Sequence, residues 1–328
     1  MNVTVFSTMH FERPFLERAN AGRHQLHFYE AGVADQTVPL AQGSLAISVS
    51  ADDDLSALIL TQLAAHGVRY VLVRGTGTDQ VDLPAAHRLD LRVANVPDYS
   101  PHAIAEHAVA LMLALARHLR QADQQLRAND FCLDKLIGFE LHGKTVGIVG
   151  VGHIGAVLAG ILHGFGCRLL GEDVRPNDEL RRRYDLEYVT LPELCAQADI
   201  ISLHTPLTAR TRHLFDDQVL GQLKPGAMLI NTGRGGVLDT AAALRALDSG
   251  RLGYLGLDVY EAEKGLFFAD HTHDQLRDAT FARLLTYANV RVTAHQGYLT
   301  REALTSLATA VVASLDEWAS SVPAVHEL

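Results

Sequence analysis

The sequence predicts an α/β protein of two parallel-sheet lobes, and three observations carry that expectation. Short β-branched runs alternate with longer amphipathic runs along the whole chain, the pattern of βαβ units. The 328 residues, 48% of them hydrophobic, suffice for two cores at roughly 100–200 residues per domain. A glycine-rich junction between strand and helix opens near residue 150, not at the N-terminus, so a separate lobe precedes it.

In the first lobe the strand-like runs are Val3–Ser7, Leu45–Val49, Val68–Val73 and Leu91–Val96, with a helix over Leu55–His66. Ser100 followed by Pro101 reads as a cap and first turn. The helix after it sets Ile104, His107, Ala108, Leu111, Met112, Leu115 and Leu119 on one face, and its length suggests a bridge between lobes. In the second lobe the strands are Thr145–Val149, Arg168–Glu172, Ile200–Leu203, Met228–Asn231, Leu255–Val259 and Val290–Thr293. Thr300 caps a last helix whose apolar stripe is Leu304, Leu307, Val311, Val312, Leu315 and Trp318. If the long helix is a bridge, this last helix returns to the first lobe. The expected domains are residues 1–99 with 300–328, and residues 100–299.

Composition removes several function classes. Lys and Arg number 28 against 38 Asp and Glu, a net charge of −10, which repels nucleic acid and anionic membrane. Cys132, Cys167 and Cys195 form no C-x-x-C pair, so neither a disulfide framework nor a thiolate zinc site is expected, in keeping with a reducing cytoplasm. The N-terminus has no basic leader before an apolar core. Ala103–Leu119 carries Glu106, His107, Arg117 and His118, which is too polar for a bilayer span. His271 and His273 lack a nearby third ligand, so no metal is expected.

The strongest local signal is Gly150-Val-Gly152-His-Ile-Gly155, which follows an apolar strand and runs into a helical pattern. Gly150 allows a tight turn, Gly152 lets the backbone approach a diphosphate, and Gly155 lets helix pack on strand. The diphosphate would rest on the N–H groups at the helix start. Asp173 ends the next strand, 23 positions after Gly150, near the offset of about 20 for an acid that holds the ribose hydroxyls. An acid there repels a 2′-phosphate, so NAD is expected rather than NADP. Gly75-Thr-Gly77 lacks the third glycine and is no second copy.

A lobe preceding a dinucleotide domain makes a cleft between them the expected active site. Hydride transfer to a ketone leaves charge on oxygen and requires a proton donor and a nearby cation. Ligands bind beyond the carboxyl ends of strands in such sheets. Three loops there offer the groups: Arg234 after Asn231, Glu261 and Glu263 after Asp258, and His295 after Thr293.

At these loops the sequence resembles the D-isomer-specific 2-hydroxyacid dehydrogenase family, through N-x-x-R-G at Asn231–Gly235, D-V-Y-E-x-E at Asp258–Glu263, and the late histidine His295. The resemblance runs over essentially the whole chain, taking in Leu72–Asp82, Val96–His107 and Ile201–Thr208. Tyr99-Ser-Pro, the Glu261–Phe268 run and His295-Gln-Gly-Tyr298 make it most similar to members that interconvert pyruvate and D-lactate. The resemblance implies a Rossmann coenzyme domain inserted into a flavodoxin-like substrate domain. It implies that His295 donates the proton, with Glu263 orienting the imidazole and raising its pKa, while Arg234 binds the substrate carboxylate. Thr76 and Gly77 would offer backbone N–H groups to that carboxylate, and Tyr99 and Tyr298 would line the pocket. For NAD it implies Gly150, Gly152, His153, Ile154, Gly155, Asp173, His204, Thr205, Pro206, Thr232, Gly233, Arg234 and Asp258.

Glu261 reads as structural, and His107 and His142 lie outside the catalytic set. Two positions depart from the family pattern. Gly233 stands where serine is usual, which predicts a looser loop or an altered cofactor hydrogen bond. Gly297 stands where a small alkyl residue is commoner, which predicts a more mobile wall beside Tyr298. The expected activity is NADH-dependent reduction of pyruvate to D-lactate. The rival is reduction of bulkier 2-ketoacids, and from another class, a dinucleotide-sensing interaction protein. The protein is expected to be cytoplasmic and a homodimer or homotetramer, with a small-molecule substrate.

Overall fold

A computed structural model describes residues 1–51 and 53–328. The chain divides into two compact units, Met1–Ser100 with Leu299–Leu328, and Pro101–Tyr298.

The first unit is a five-stranded sheet of β1 (Asn2–Val5), β2 (Gln25–Phe28), β3 (Ala46–Val49), β4 (Tyr70–Val73) and β5 (Arg92–Ala94). All pairings are parallel, in the order β2-β1-β3-β4-β5. That is the flavodoxin-like doubly wound order. Alternation along each strand feeds two cores. Val71 and Val73 pack with α2 (Ala57–Ala65) and α3 (Leu83–Arg88), whereas Leu72 packs with α1 (Arg13–Asn20) and the C-terminal helix Arg301–Ala319. Thr300 caps that helix, its Oγ1 accepting the Ala303 N–H at 3.1 Å. The expected stripe is buried, and Trp318 stacks on Tyr70 with ring centroids 4.9 Å apart.

The second unit opens with α4 (Pro101–Ala116) and α5 (Leu119–Arg127). The single long helix expected here is two helices, because His118 adopts a left-handed backbone (φ +51°) that no α-helix accommodates. Ser100 does not cap α4 through its side chain, since its buried Oγ has no hydrogen-bond partner. A parallel seven-stranded sheet follows, built from β6 (Thr145–Val149), β7 (Arg168–Glu172), β8 (Glu187–Tyr188), β9 (Ile200–Leu203), β10 (Ala227–Asn231), β11 (Leu252–Leu257) and β12 (Val290–Val292). Its helices are α6 (His153–Gly164), α7 (Asp178–Tyr184), α8 (Leu191–Gln197), α9 (Asp217–Gly221), α10 (Thr240–Asp248) and α11 (Ala279–Thr286). The order β12-β11-β10-β9-β6-β7-β8 is the Rossmann order with one strand added at the β12 edge. One face buries Val146, Ile148 and Ile230 under α4 and α6, and the other buries Ile201, Leu229 and Leu255 under α8 to α11. The strand order reverses between β6 and β9, the position at which such sheets bind ligands.

Among the described residues, no helix is long and apolar enough to cross a membrane. The strands β2 and β8 and the helices α1 and α3 carry no strong sequence signal. The edge strand β2 is only half-buried, and β8 has two residues.

Candidate active site

The glycine junction sits at the switch point. Gly150 leaves β6 with φ +90°, and a Cβ there would stand 2.8 Å from the His204 carbonyl carbon. A Cβ at Gly155 would stand 2.2 Å from the Gly150 carbonyl oxygen, so α6 can approach β6 only with glycine at that position. Gly152 differs, with nothing within 4 Å of where its Cβ would be. His153 and Ile154 open α6 directly after Gly152. The junction therefore offers open space above a helix N-terminus.

Asp173 follows β7. Its carboxylate accepts the Val151 N–H at 2.7 Å and the Arg175 N–H at 2.8 Å, which fixes it beside the glycine loop. Those bonds use one acceptor position on each oxygen and leave further lone pairs. Burial and the Asp173 charge together raise the pKa of neighbouring Glu172.

On the other side of the switch point, His204, Thr205 and Pro206 follow β9. The Nε2 of His204 lies 2.8 Å from Ser202 Oγ, while its Nδ1 is buried without a partner. Burial lowers this imidazole to about pKa 4, so it is neutral. Thr205 Oγ1 and Thr232 Oγ1 are also buried and unpartnered. Open space at Gly152 and orphaned polar atoms after β9 and β10 fit a polar dinucleotide laid across the strand ends.

Thr232, Gly233 and Arg234 follow β10. Asn231 organises this loop, its Oδ1 accepting the Gly233 N–H at 3.1 Å and its Nδ2 donating to the Arg234 carbonyl at 2.9 Å. Arg234 Nη1 donates to the Gly233 carbonyl at 3.0 Å. The loop at Gly233 is thus pinned rather than loosened. A Cβ there would lie 3.2 Å from the Leu203 carbonyl oxygen, a tight but local contact. Gly235 leaves no room for a side chain, since its Cβ would stand 2.2 Å from the Tyr260 carbonyl carbon. The arginine loop therefore rests on the backbone of the Tyr260–Glu263 turn. Glu261 locks that contact, accepting the Thr240 N–H at 3.0 Å and pairing with His213 Nε2 at 2.8 Å. This is the structural role its sequence context suggests.

Glu263 and His295 come together: Oε1 of the glutamate lies 2.9 Å from Nδ1 of the imidazole. The other oxygen of Glu263 accepts the Tyr260 N–H at 2.8 Å, so the carboxylate is held by its own turn. Phe268 and Tyr298 flank the imidazole, with ring centroids 5.7 Å and 6.5 Å away. Phe268 was not anticipated. It closes the Glu261–Phe268 run that marks the resemblance, in which Phe267 is buried against Phe281 and Phe268 faces His295.

Asp258 has a buried carboxylate. Its Oδ1 accepts from Thr293 Oγ1 and from the Gln296 N–H (2.9 Å), and its Oδ2 accepts the Gly297 N–H (2.8 Å). Burial raises its pKa, but hydrogen bonds from His107, Thr293 and Gly297 and the nearby His107 charge outweigh that and hold it below the usual carboxylate range. Gly297 is no loosened wall. It is buried, and a Cβ there would stand 2.8 Å from Asp258 Oδ2, so glycine is what permits the carboxylate's approach.

In the first unit, Thr76 and Gly77 follow β4. Asn95 Nδ2 donates to the Thr76 carbonyl at 2.8 Å, and Thr76 Oγ1 donates to the Pro97 carbonyl at 2.9 Å, which fixes the turn. Tyr99 is half-buried against the core of that unit. Among the described residues, no cluster of three or more His, Cys, Asp or Glu side chains could hold a metal ion.

Comparison with known proteins gives a concordant picture. Residues 109–297 match the family profile described as D-isomer specific 2-hydroxyacid dehydrogenase, NAD binding domain. A D-lactate dehydrogenase of Curvularia clavata is 44% identical, over 100% of this chain and 95% of its own. The apo-structure of D-lactate dehydrogenase from Escherichia coli superposes with a TM-score of 0.90 at 38% identity, covering 100% of both chains. A structure reported as the pyruvate reductase of Chlamydomonas reinhardtii gives a TM-score of 0.92 at 38% identity, covering 99% of this chain and 98% of that one.

Proposed function

Because the chain belongs to the D-isomer-specific 2-hydroxyacid dehydrogenase family, we propose that it is an NAD-dependent D-lactate dehydrogenase, reducing pyruvate to D-lactate. The observation that carries this reading is the Glu263–His295 pair, 2.9 Å apart in the unit that also bears the glycine cradle.

The cradle residues Gly150, Gly152, His153, Ile154 and Gly155 hold the diphosphate, and Asp173 holds the ribose hydroxyls. His204, Thr205, Pro206, Thr232, Gly233, Arg234 and Asp258 line the rest of the dinucleotide site. The reduced nicotinamide, when bound, supplies the hydride that the carbonyl carbon accepts. Arg234 binds the pyruvate carboxylate through its fork of donors and stabilises the charge that develops on the carbonyl oxygen. With Nδ1 hydrogen-bonded to Glu263, the transferable proton of His295 sits on Nε2, and the carbonyl oxygen takes it as the C=O pair moves onto that oxygen. His295 ends neutral and is reprotonated from solvent. The carboxylate of Glu263 favours the imidazolium that starts the cycle. Tyr298, in the same unit as Arg234 and His295, completes the proposed substrate contacts there.

The protein is proposed to act in the cytoplasm as a homodimer or homotetramer. Support for association comes from α5 and the segment after it, where Leu119, Leu126, Phe131, Leu133 and Ile137 are all exposed.

The test is NADH oxidation by the purified protein with a series of 2-ketoacids, with chiral analysis of the product. The reading expects D-lactate from pyruvate and a higher kcat/KM for pyruvate than for phenylpyruvate or 2-oxoisocaproate. Preference for a bulky ketoacid overturns the lactate assignment. NADH binding without turnover on any 2-ketoacid favours an interaction protein instead.

A further inference from the structure

We infer that His107 is a positioning residue: together with Thr293 and Asp258 it fastens the 293–297 loop and so fixes the imidazole of His295. The inference rests on the proton-donor role proposed for His295.

The loop needs fastening because of its own backbone. His295 has φ +53°, in the left-handed region that costs a non-glycine residue on the order of 1–3 kcal/mol and persists only where its surroundings enforce it. The enforcing contacts converge on one residue. The His295 N–H donates to the Asp258 carbonyl at 2.7 Å, and the next two N–H groups, of Gln296 and Gly297, donate to the Asp258 carboxylate. The loop thus wraps a single anion whose side chain is only 2% exposed.

A buried anion holds such a loop only if all its donors stay in place. Three of them belong to the loop itself. The fourth is His107, which reaches in from α4. Its Nε2 lies 2.9 Å from Thr293 Oγ1 and 3.3 Å from Asp258 Oδ1. With Thr293 donating its hydroxyl proton to Asp258, the Nε2–H of His107 is shared between the Thr293 oxygen and Asp258 Oδ1, which joins helix, hydroxyl and carboxylate in one network. The imidazole also packs on the loop: its Cδ2 would lie 3.4 Å from a Cβ at Gly297.

The position of His107 in the fold explains why this contact orients rather than merely fills space. Ala105, Ala108 and Met112 of α4 are fully buried in the core shared with β6 and α6, so the helix is a fixed reference. Glu263, the other group on His295, sits in an irregular turn. The link through His107 ties the histidine loop to a packed helix by a hydrogen-bonded side chain.

Two variants separate orientation from packing. His107→Leu keeps most of the volume and removes the donor, whereas His107→Gln restores an N–H at similar reach. Both are assayed for kcat and KM with pyruvate, and for amide hydrogen exchange over residues 293–297 without substrate. The leucine variant should lose about 10- to 100-fold in kcat with pyruvate KM nearly unchanged, the scale of a catalytic group displaced by about an ångström. Its loop amides should exchange at least about tenfold faster while those of α6 do not change, as a locally opened segment requires. The glutamine variant should recover most of both losses. Unchanged exchange in His107→Leu, or a glutamine variant no better than the leucine one, overturns the inference. The exchange readout is independent of the substrate. Should the wild type fail to reduce pyruvate while the leucine variant still loosens the loop, the functional reading falls and the fastening stands.

Discussion

Glu263 and His295, separated by 32 positions in sequence, face each other at 2.9 Å through Oε1 and Nδ1. A fixed negative charge at that distance stabilises the imidazolium over the neutral ring. In Glu263→Gln the charge is gone while a hydrogen-bonding group remains. The limb along which pyruvate reduction declines with rising pH should move to lower pH, because the proton donor is lost sooner. An unshifted pH profile of kcat/KM would break the proposed pairing.

His295→Ala removes the proposed proton donor and leaves the glycine cradle intact. Pyruvate reduction should fall by about two to four powers of ten, the range typical of a general acid. NADH binding, followed by quenching of protein fluorescence, should remain within a few-fold of wild type. Retained turnover in the variant would move the acid to another residue.

Asp173 holds the Val151 and Arg175 N–H groups at 2.7 Å and 2.8 Å and is also the residue proposed to hold the ribose. Asp173→Ala should therefore do two things at once. Discrimination against NADPH should relax, since the charge that repels a 2′-phosphate is removed. NADH affinity should also fall, since the glycine loop loses an anchor. An unchanged NADH-to-NADPH ratio of kcat/KM places Asp173 away from the ribose.

His204 is half-buried, and desolvation of its ring lowers its pKa to about 4 from the ordinary 6.5. Between those values the unfolded chain binds a proton that the folded chain does not. The stability linked to His204 is therefore complete above about pH 6.5 and is lost as pH falls toward 4, by about 1–3 kcal/mol. His204→Asn should flatten this part of the stability curve. Urea unfolding of both proteins at pH 7 and pH 5 checks it: an equal loss in the two proteins sinks the assignment.

The two sheets were legible in the sequence because their interior strands are buried on both faces and read as short, largely apolar runs, as in Ala46–Val49 and Ile200–Leu203. Strand β2 was not legible, because a half-exposed edge strand such as Gln25–Phe28 has no such run. The break between α4 and α5 was missed for a different reason. Hydrophobic periodicity continues through Leu115 and Leu119, and it carries no information about the left-handed backbone at His118.

The amino-acid sequence by itself determined the parallel α/β class and the glycine junction at Gly150–Gly155, because each is a local pattern of residue type and spacing, and its family motifs pointed to Arg234, Glu263 and His295. Only the tertiary structure decided that Gly235 seats the arginine loop on Tyr260, and that Gly297 makes room for Asp258. Only it, too, turned His107 from a helix-face residue into a partner of the histidine loop. These are contacts between segments far apart in the chain. Sequence spacing specifies which side chains are present, but whether a Cβ fits or a buried carboxylate finds its fourth donor depends on how strands and helices are packed in space.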